Sequence, residues 1–173
     1  KEKLWVKNII QREVGVRYDR VLFCDHHMSH AASAFFCSPF RDAAVLTVDG
    51  VGEWTSTTLG QATSRWEGDS SGQNNIELFQ EQRFPHSIGL LYSAFTAYLG
   101  FRVNNGEYKV MGMAPYGQPR YLDKLCKLIK VYDDGSFHLD LDYFSFHHAL
   151  RDTYSQKFLN LFGKARQPEA PFF

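Results

Sequence analysis

The sequence predicts one domain of mixed α/β class. Its 173 residues are enough for a single ordinary domain with an apolar core. Residues 43–48 form a nearly continuous apolar run, which is typical of a strand buried on both faces. A segment rich in β-branched residues, 55–61, follows closely, and apolar residues at helical spacing occur on both sides of this pair. The chain is therefore expected to combine helices and strands in one fold.

The first part of the chain predicts a helix, a strand and a second helix. Apolar residues at helical spacing indicate an amphipathic helix over 4–13 that ends near Gly15. A short buried strand is expected over 20–24. Small residues favour a closely packed helix over 26–36, which Pro39 prevents from extending further.

The next part predicts a small antiparallel sheet. The turn DGVGE, residues 49–53, joins the strand over 43–48 to the strand over 55–61. A polar loop over 64–75 then leads to a third strand over 76–84, where apolar and polar residues alternate. We expect the three strands to pair locally, because short turns join neighbouring antiparallel strands.

The second half of the chain predicts mostly helices. Residues 87–101 are apolar nearly all round, which indicates a deeply buried helix, with Ser87 as its cap and Pro85 at its boundary. The segment 104–119 holds glycines and prolines and is expected to be an ordered, irregular loop of the kind that often carries function. The remaining predicted elements are helices over 121–131 and 147–162 and a turn with a short strand over 133–141.

Charge and composition argue against several partners. Nineteen basic and 19 acidic residues cancel to a formal net charge of +0, so no overall field favours nucleic acid or an anionic membrane. No apolar run approaches the roughly 20 residues that a membrane helix needs, and the start lacks the apolar block of a signal peptide. The three cysteines are an odd number without CxxC spacing, which favours a reducing compartment, so a cytoplasmic location is expected.

Both ends of the sequence suggest a segment of a longer protein. The first residue is not Met, and the last residues, PEAPFF, look more like an interrupted linker than a capped element. We therefore expect that other parts of the protein contribute to its function.

The stretch CDHHMSH, residues 24–30, is a candidate metal site. His26 and His30 are four residues apart, so on a helix both imidazoles lie on one face, while His27 points elsewhere. A tightly held metal needs a third ligand, and Asp49 is the best candidate because it follows a strand. The alternative is that these histidines cap a helix or satisfy buried carbonyl groups, since HxxxH also occurs by accident.

The turn DGVGE, residues 49–53, is a candidate phosphate site. Two glycines let backbone amides approach a phosphate, and Asp49 can hold a metal ion or a water molecule. The alternative is an ordinary hairpin turn, for which Asp-Gly is the commonest signal. A nearby cation at His26 and His30 favours the first interpretation, because a metal ion offsets phosphate charge.

Three blocks of the sequence resemble the carbamoyltransferase family of nodulation and antibiotic-tailoring enzymes. They are HHMSHAASAFFCSPF, LTVDGVGEWTSTTLG and FPHSIGLLYSAFTAYLGFRVNNGEYKVMGMAPYG, in this order. The resemblance implies a Kae1-like domain of the ASKHA superfamily, which includes acetate kinase, sugar kinases, Hsp70 and actin, followed by a YrdC-like domain. It also implies that carbamoyl phosphate and ATP yield carbamoyl-adenylate, whose carbamoyl group passes to a hydroxyl of a sugar or natural product.

The resemblance assigns roles to the candidate residues. His26 and His30 correspond to ligands of a divalent cation, expected to be Fe2+, and Asp49 to a residue at both the metal and the phosphate. Three glycines would line the nucleotide phosphate, namely Gly50, Gly52 and Gly89.

Parts of the family pattern are missing from the sequence. An earlier strand with an Asp-Gly turn, a later carboxylate ligand and the YrdC-like domain are not found, so residues 1–173 are expected to be a piece of the Kae1-like domain. The sequence identifies no general base. Two other functions stay open: an ATP-binding regulatory or scaffold module without transfer chemistry, and a free-standing metallohydrolase.

Overall fold

A computed structural model of the chain describes residues 5–65, 74–150 and 152–171. Both helices and strands occur over these ranges, which confirms the mixed α/β class. In chain order they are α1 (Val6–Val14), α2 (His26–Phe35), β1 (Asp42–Val48), β2 (Thr55–Thr63), β3 (Asn75–Arg83), α3 (Ile88–Tyr98), α4 (Glu107–Met113), α5 (Leu122–Leu125), β4 (Ile129–Val131), β5 (Phe137–Leu139) and α6 (Gln156–Phe162). None of the helices over the described ranges has the length and apolar content needed to cross a membrane.

The predicted antiparallel sheet is confirmed. Strands β1, β2 and β3 are hydrogen-bonded in the order β1-β2-β3, with Val45 opposite Gly60 and Gly60 opposite Leu78. Asp49 follows β1 directly, and its amide donates to the Ser56 carbonyl at 2.8 Å, which closes the turn into β2. Most of the predicted polar loop over 64–75 lies outside the described residues.

One apolar core lies between α2 and one face of this sheet. Its buried residues are Ala31, Phe35, Val45 and Ala62. The expectation that β1 is buried on both faces is wrong for the described part of the chain, where Leu46 and Val48 remain 65% and 48% exposed. Burial alternates along β1 because α2 covers only the face toward which Val45 points.

A second apolar core lies between α3, α6 and the hairpin formed by β4 and β5. Its buried residues are Ala94, Leu128, Leu139, Phe144 and Phe158. Ser87 caps α3 as predicted, because its hydroxyl accepts a hydrogen bond from the Leu90 amide at 3.0 Å. The deep burial predicted for α3 holds only for Ala94 and Thr96, since its other residues are exposed or half-buried.

The strand predicted over 20–24 is wrong. A 3-10 turn, Tyr18–Arg20, occupies its beginning; Val21 is extended, and residues 21–25 belong to no strand. Val21 is buried, but Leu22 and Phe23 are exposed, so only the first residue of the apolar run that suggested a buried strand lies in the interior of the described part of the chain.

Two predicted helices are shorter than expected. Only α5 forms within 121–131, because the end of that segment pairs as β4 with β5 across the Asp134-Gly135 turn. Among the described residues of 147–162, α6 is the only helix, since Tyr154 instead bridges to Phe144. The predicted loop over 104–119 contains α4, whose first residue, Glu107, accepts hydrogen bonds from the Asn104 and Gly106 amides.

Candidate metal centre

The start of α2 faces the end of β1. Asp25 precedes α2 in an extended conformation, and its side chain makes no capping hydrogen bond. The completely buried Ala31 lets α2 pack closely against β1 and β2, because a small side chain permits close approach. The first turn of the helix, with His26, lies beside Asp49 at the end of β1.

His26, His30 and Asp49 form a cluster with converging ligand atoms. One nitrogen or oxygen from each residue lies within 4.8 Å of the others. The two Nε2 atoms of His26 and His30 are 3.0 Å apart, His30 Nε2 lies 3.5 Å from Asp49 Oδ2, and His26 Nε2 contacts the same oxygen. The side chains are 36%, 54% and 34% exposed respectively, so an ion can reach them from solvent.

The donor set fits a divalent metal ion. Two imidazole nitrogens and one carboxylate oxygen are the ligands that zinc and non-haem iron sites use. Both imidazoles present Nε2 to the same point, as two ligands of one ion would. The structure therefore brings together the three residues that the sequence proposed as ligands.

The environment keeps Asp49 ionised. Burial by itself raises the pKa of its carboxyl group, but the hydrogen bond with His26 and the bond from the Gly50 amide lower it. The nearby imidazoles of His26 and His30 act in the same direction, so the pKa of Asp49 lies below its ordinary value. A carboxylate that is charged at neutral pH is ready to bind a cation.

The turn after Asp49 is shaped by contacts within the protein. The Gly50 amide donates to Asp49 Oδ1 at 2.6 Å. Gly52 has a φ of 54°, and a Cβ on it would lie 2.8 Å from His27 Nε2 and too close to the Thr55 carbonyl oxygen. Glycine is thus needed at position 52 for backbone conformation and for packing on His27, whether or not it also lines a phosphate.

The start of α3 sits on the same turn. A Cβ on Gly89 would lie 2.5 Å from the Asp49 carbonyl oxygen and 2.8 Å from the Gly50 amide nitrogen. The fully buried Ser87 places its hydroxyl 2.6 Å from the Gly50 carbonyl oxygen and 3.1 Å from that of Asp49. Sequence reasoning identified Ser87 as a helix cap but missed this second contact, because its partners lie 37 and 38 residues away.

Loss of the Ser87 hydroxyl should loosen the first turn of α3. In Ser87→Ala the Leu90 amide loses its acceptor, and a lost cap costs about 1 kcal/mol. We expect amide exchange in a peptide covering 88–92 to become about fivefold faster, measured by hydrogen–deuterium exchange of the full-length protein. Ser155→Ala is the matched control, because Ser155 precedes α6 without capping it. Unchanged exchange at 88–92 in Ser87→Ala would show that the Ser87 cap does not stabilise the first turn of α3.

Two cavities lie near these elements. A polar one of about 550 Å³ adjoins the cluster and is lined by residues that include Asp25, His26, Glu53, Thr55 and Glu81. A larger, mostly apolar one of about 1060 Å³ lies between α3, α4 and the segment 164–171 and contains none of the three clustered residues. The polar cavity is therefore the one placed to bring a second molecule to the cluster.

Comparison with known proteins identifies the family. A family model described as the carbamoyltransferase N-terminus matches residues 2–170. The chain belongs to this carbamoyltransferase family. It is 47% identical to the uncharacterised protein sll1178 of Synechocystis over 98% of its own length and 28% of that protein.

Two nodulation proteins are also relatives of this carbamoyltransferase-family chain. It is 36% identical to nodulation protein NolNO of Sinorhizobium fredii over 81% of its own length and 20% of that protein. It is 35% identical to nodulation protein NolO of Bradyrhizobium diazoefficiens over 68% of its own length and 20% of that protein. The chain thus spans less than a third of the length of these relatives.

Proposed function

We propose that this chain is part of an O-carbamoyltransferase, in which it forms part of a Kae1-like domain of the ASKHA type. The whole protein would make carbamoyl-adenylate from carbamoyl phosphate and ATP and transfer the carbamoyl group to a hydroxyl of a sugar or natural product. The observation that carries the proposal is the convergence of His26, His30 and Asp49 within 4.8 Å in a chain of the carbamoyltransferase N-terminal family.

In this proposal His26, His30 and Asp49 hold a divalent cation. Two histidines and one carboxylate are the ligand set of non-haem Fe2+ sites, which supports Fe2+ as the ion. The ion supplies positive charge that offsets the charge of the adenylate phosphate. Positioning of the adenylate and the acceptor, and stabilisation of the charge that develops during transfer, would then provide most of the rate enhancement.

The glycines near Asp49 would form the wall of the phosphate site. Gly50 and Gly52 lie in the turn after Asp49, and the backbone of Gly89 packs directly on that turn. The Gly50 amide now donates to Asp49 Oδ1, so it becomes available to a phosphate when the carboxylate turns toward a cation. This exchange of partners would couple nucleotide binding to occupation of the metal site.

The transfer step is a substitution at the carbamoyl carbon. The acceptor hydroxyl oxygen forms a new C–O bond to that carbon, the bond to the adenylate phosphate oxygen breaks, AMP leaves with the bonding electrons, and the hydroxyl proton is released. The polar cavity beside His26 supports binding of a hydroxyl-rich acceptor there, since Glu53, Thr55 and Glu81 line it with hydrogen-bonding groups.

The test is a pair of assays on the full-length protein. Carbamoyl phosphate first loses inorganic phosphate to water, which gives carbamate. A carbamate oxygen then attacks the α-phosphorus of ATP and displaces pyrophosphate, so pyrophosphate release should depend on carbamoyl phosphate. Carbamoylated products from a panel of sugars and hydroxylated natural products are then sought by mass spectrometry. We expect His26→Ala/His30→Ala to abolish transfer while keeping carbamoyl phosphate-dependent pyrophosphate release, because these residues belong to the transfer site.

The main alternative is an ATP-binding regulatory or scaffold module of the ASKHA superfamily. It predicts that the full-length protein binds ATP but neither releases pyrophosphate with carbamoyl phosphate nor forms any carbamoylated product. That combination of results would overturn the proposed function, whereas ATP binding alone does not distinguish the two.

A further inference from the structure

His27 is a buried histidine between the two proposed metal ligands in sequence. Only 5% of its surface is exposed. Its Nδ1 lies 2.5 Å from Thr47 Oγ1 on β1, and its Nε2 lies 2.5 Å from the Thr55 carbonyl oxygen on β2. The ring therefore connects α2 to two strands at once, and neither nitrogen is directed at the cluster.

The partners of His27 fix the direction of each hydrogen bond in the neutral ring. A carbonyl oxygen only accepts, so Nε2 carries the proton and donates to Thr55. Nδ1 then accepts from the Thr47 hydroxyl, which in turn accepts from Thr58 Oγ1 at 2.6 Å. Every polar side-chain atom in this buried series of hydrogen bonds, from the Thr58 hydroxyl to the Thr55 carbonyl, therefore has a partner.

The position of His27 on α2 makes it the anchor of the helix start. Of the ten residues of α2, the buried ones are His27, Ala31 and Phe35, which form one stripe. Ala31 and Phe35 belong to the apolar core at the middle and end of the helix. His27 alone among these three buried residues lies in the first turn, where His26 also lies.

The same ring contacts the two other parts of the site. Thr47 lies two residues before Asp49 on the strand that leads into the cluster. A Cβ on Gly52 would lie 2.8 Å from His27 Nε2, so the turn after Asp49 rests on the ring edge. One imidazole thus fixes α2, β1 and the DGVGE turn relative to one another.

We propose that His27 is a positioning residue that holds His26 and His30 in register with Asp49. This inference rests on the proposed metal site and adds a role for a residue that binds no metal. Without the two hydrogen bonds, the first turn of α2 is free to shift relative to β1, which separates the ligand nitrogens from the Asp49 oxygen. Partners that orient ligands typically contribute about 10- to 100-fold to metal affinity.

The experiment is a titration of the full-length protein with Co2+, followed by its visible absorption, which reports both affinity and coordination geometry. We expect His27→Ala to weaken Co2+ binding about 10- to 100-fold and to change the spectrum. His27→Gln should recover part of the affinity, because its amide can still donate toward the Thr55 carbonyl. Thr47→Val removes the hydroxyl that donates to Nδ1 and keeps a side chain of similar size. It should also weaken Co2+ binding.

The matched control is Ala31→Gly, which weakens the same buried stripe of α2 without removing a hydrogen bond. We expect it to lower stability while leaving the Co2+ spectrum unchanged. Wild-type affinity and spectrum in both His27→Ala and Thr47→Val would overturn the positioning role and leave the metal site standing. A wild-type protein that binds no Co2+ would overturn the proposed site and this inference together.

Discussion

His26→Ala/His30→Ala is expected to remove tight metal binding from the full-length protein. Each histidine supplies one of three converging donor atoms, and one carboxylate alone holds a divalent ion weakly. The loss of metal affinity should exceed the about 10- to 100-fold loss caused by removing a residue that only orients a ligand. Metal content after purification, measured by inductively coupled plasma mass spectrometry, should fall to the background of the buffer.

The matched control for this variant is His147→Ala/His148→Ala. These two histidines are also adjacent in space, with ring centroids 4.4 Å apart, but they lie outside the cluster. Their removal should leave the metal content unchanged. Equal metal retention in both double variants would show that His26 and His30 are structural residues.

Asp49→Asn is the second change with a large expected effect. Asparagine keeps the size of the side chain and an oxygen that accepts from the Gly50 amide, but it removes the negative charge. Metal affinity should fall by more than about 100-fold, and nucleotide binding in the presence of metal should weaken with it. Isothermal titration calorimetry with the metal, and then with ATP in excess metal, measures both losses.

Asp25→Asn controls for the loss of one charge near the site. Asp25 lines the neighbouring polar cavity and makes no capping hydrogen bond, and it lies outside the cluster. Metal and nucleotide affinities close to the wild-type values are expected for this variant. If Asp49→Asn also keeps both affinities, the DGVGE segment is an ordinary turn and the proposed site is wrong.

The sheet and the start of α2 could be predicted from the sequence because their signals are local. The three strands follow one another in the chain, and the short DGVGE turn joins the first two, so β-branched and alternating segments were enough to identify the pairing. The spacing of His26 and His30 placed both on one helix face, and the end of β1 indicated Asp49. These two local patterns were sufficient to propose the cluster that the structure brings together.

The contacts of His27, and the contact of Ser87 with the turn after Asp49, could not be predicted because their partners are distant in the chain. His27 contacts residues 20 and 28 positions away, and Ser87 contacts a turn 37 residues away. No periodicity in the sequence indicates which buried polar groups will meet across such separations. The same limit explains why the helix predicted over 121–131 is too long. Pairing of β4 with β5 outweighed the helical spacing of its apolar residues.

The most direct test of the central claim is X-ray absorption at the metal edge of the loaded full-length protein, which counts imidazole ligands. We predict two imidazole nitrogens and at least one oxygen bound to the ion, and one imidazole in His30→Ala. A spectrum without imidazole scattering, or with the same two imidazoles in His26→Ala/His30→Ala, would contradict the assignment of this cluster as the metal centre.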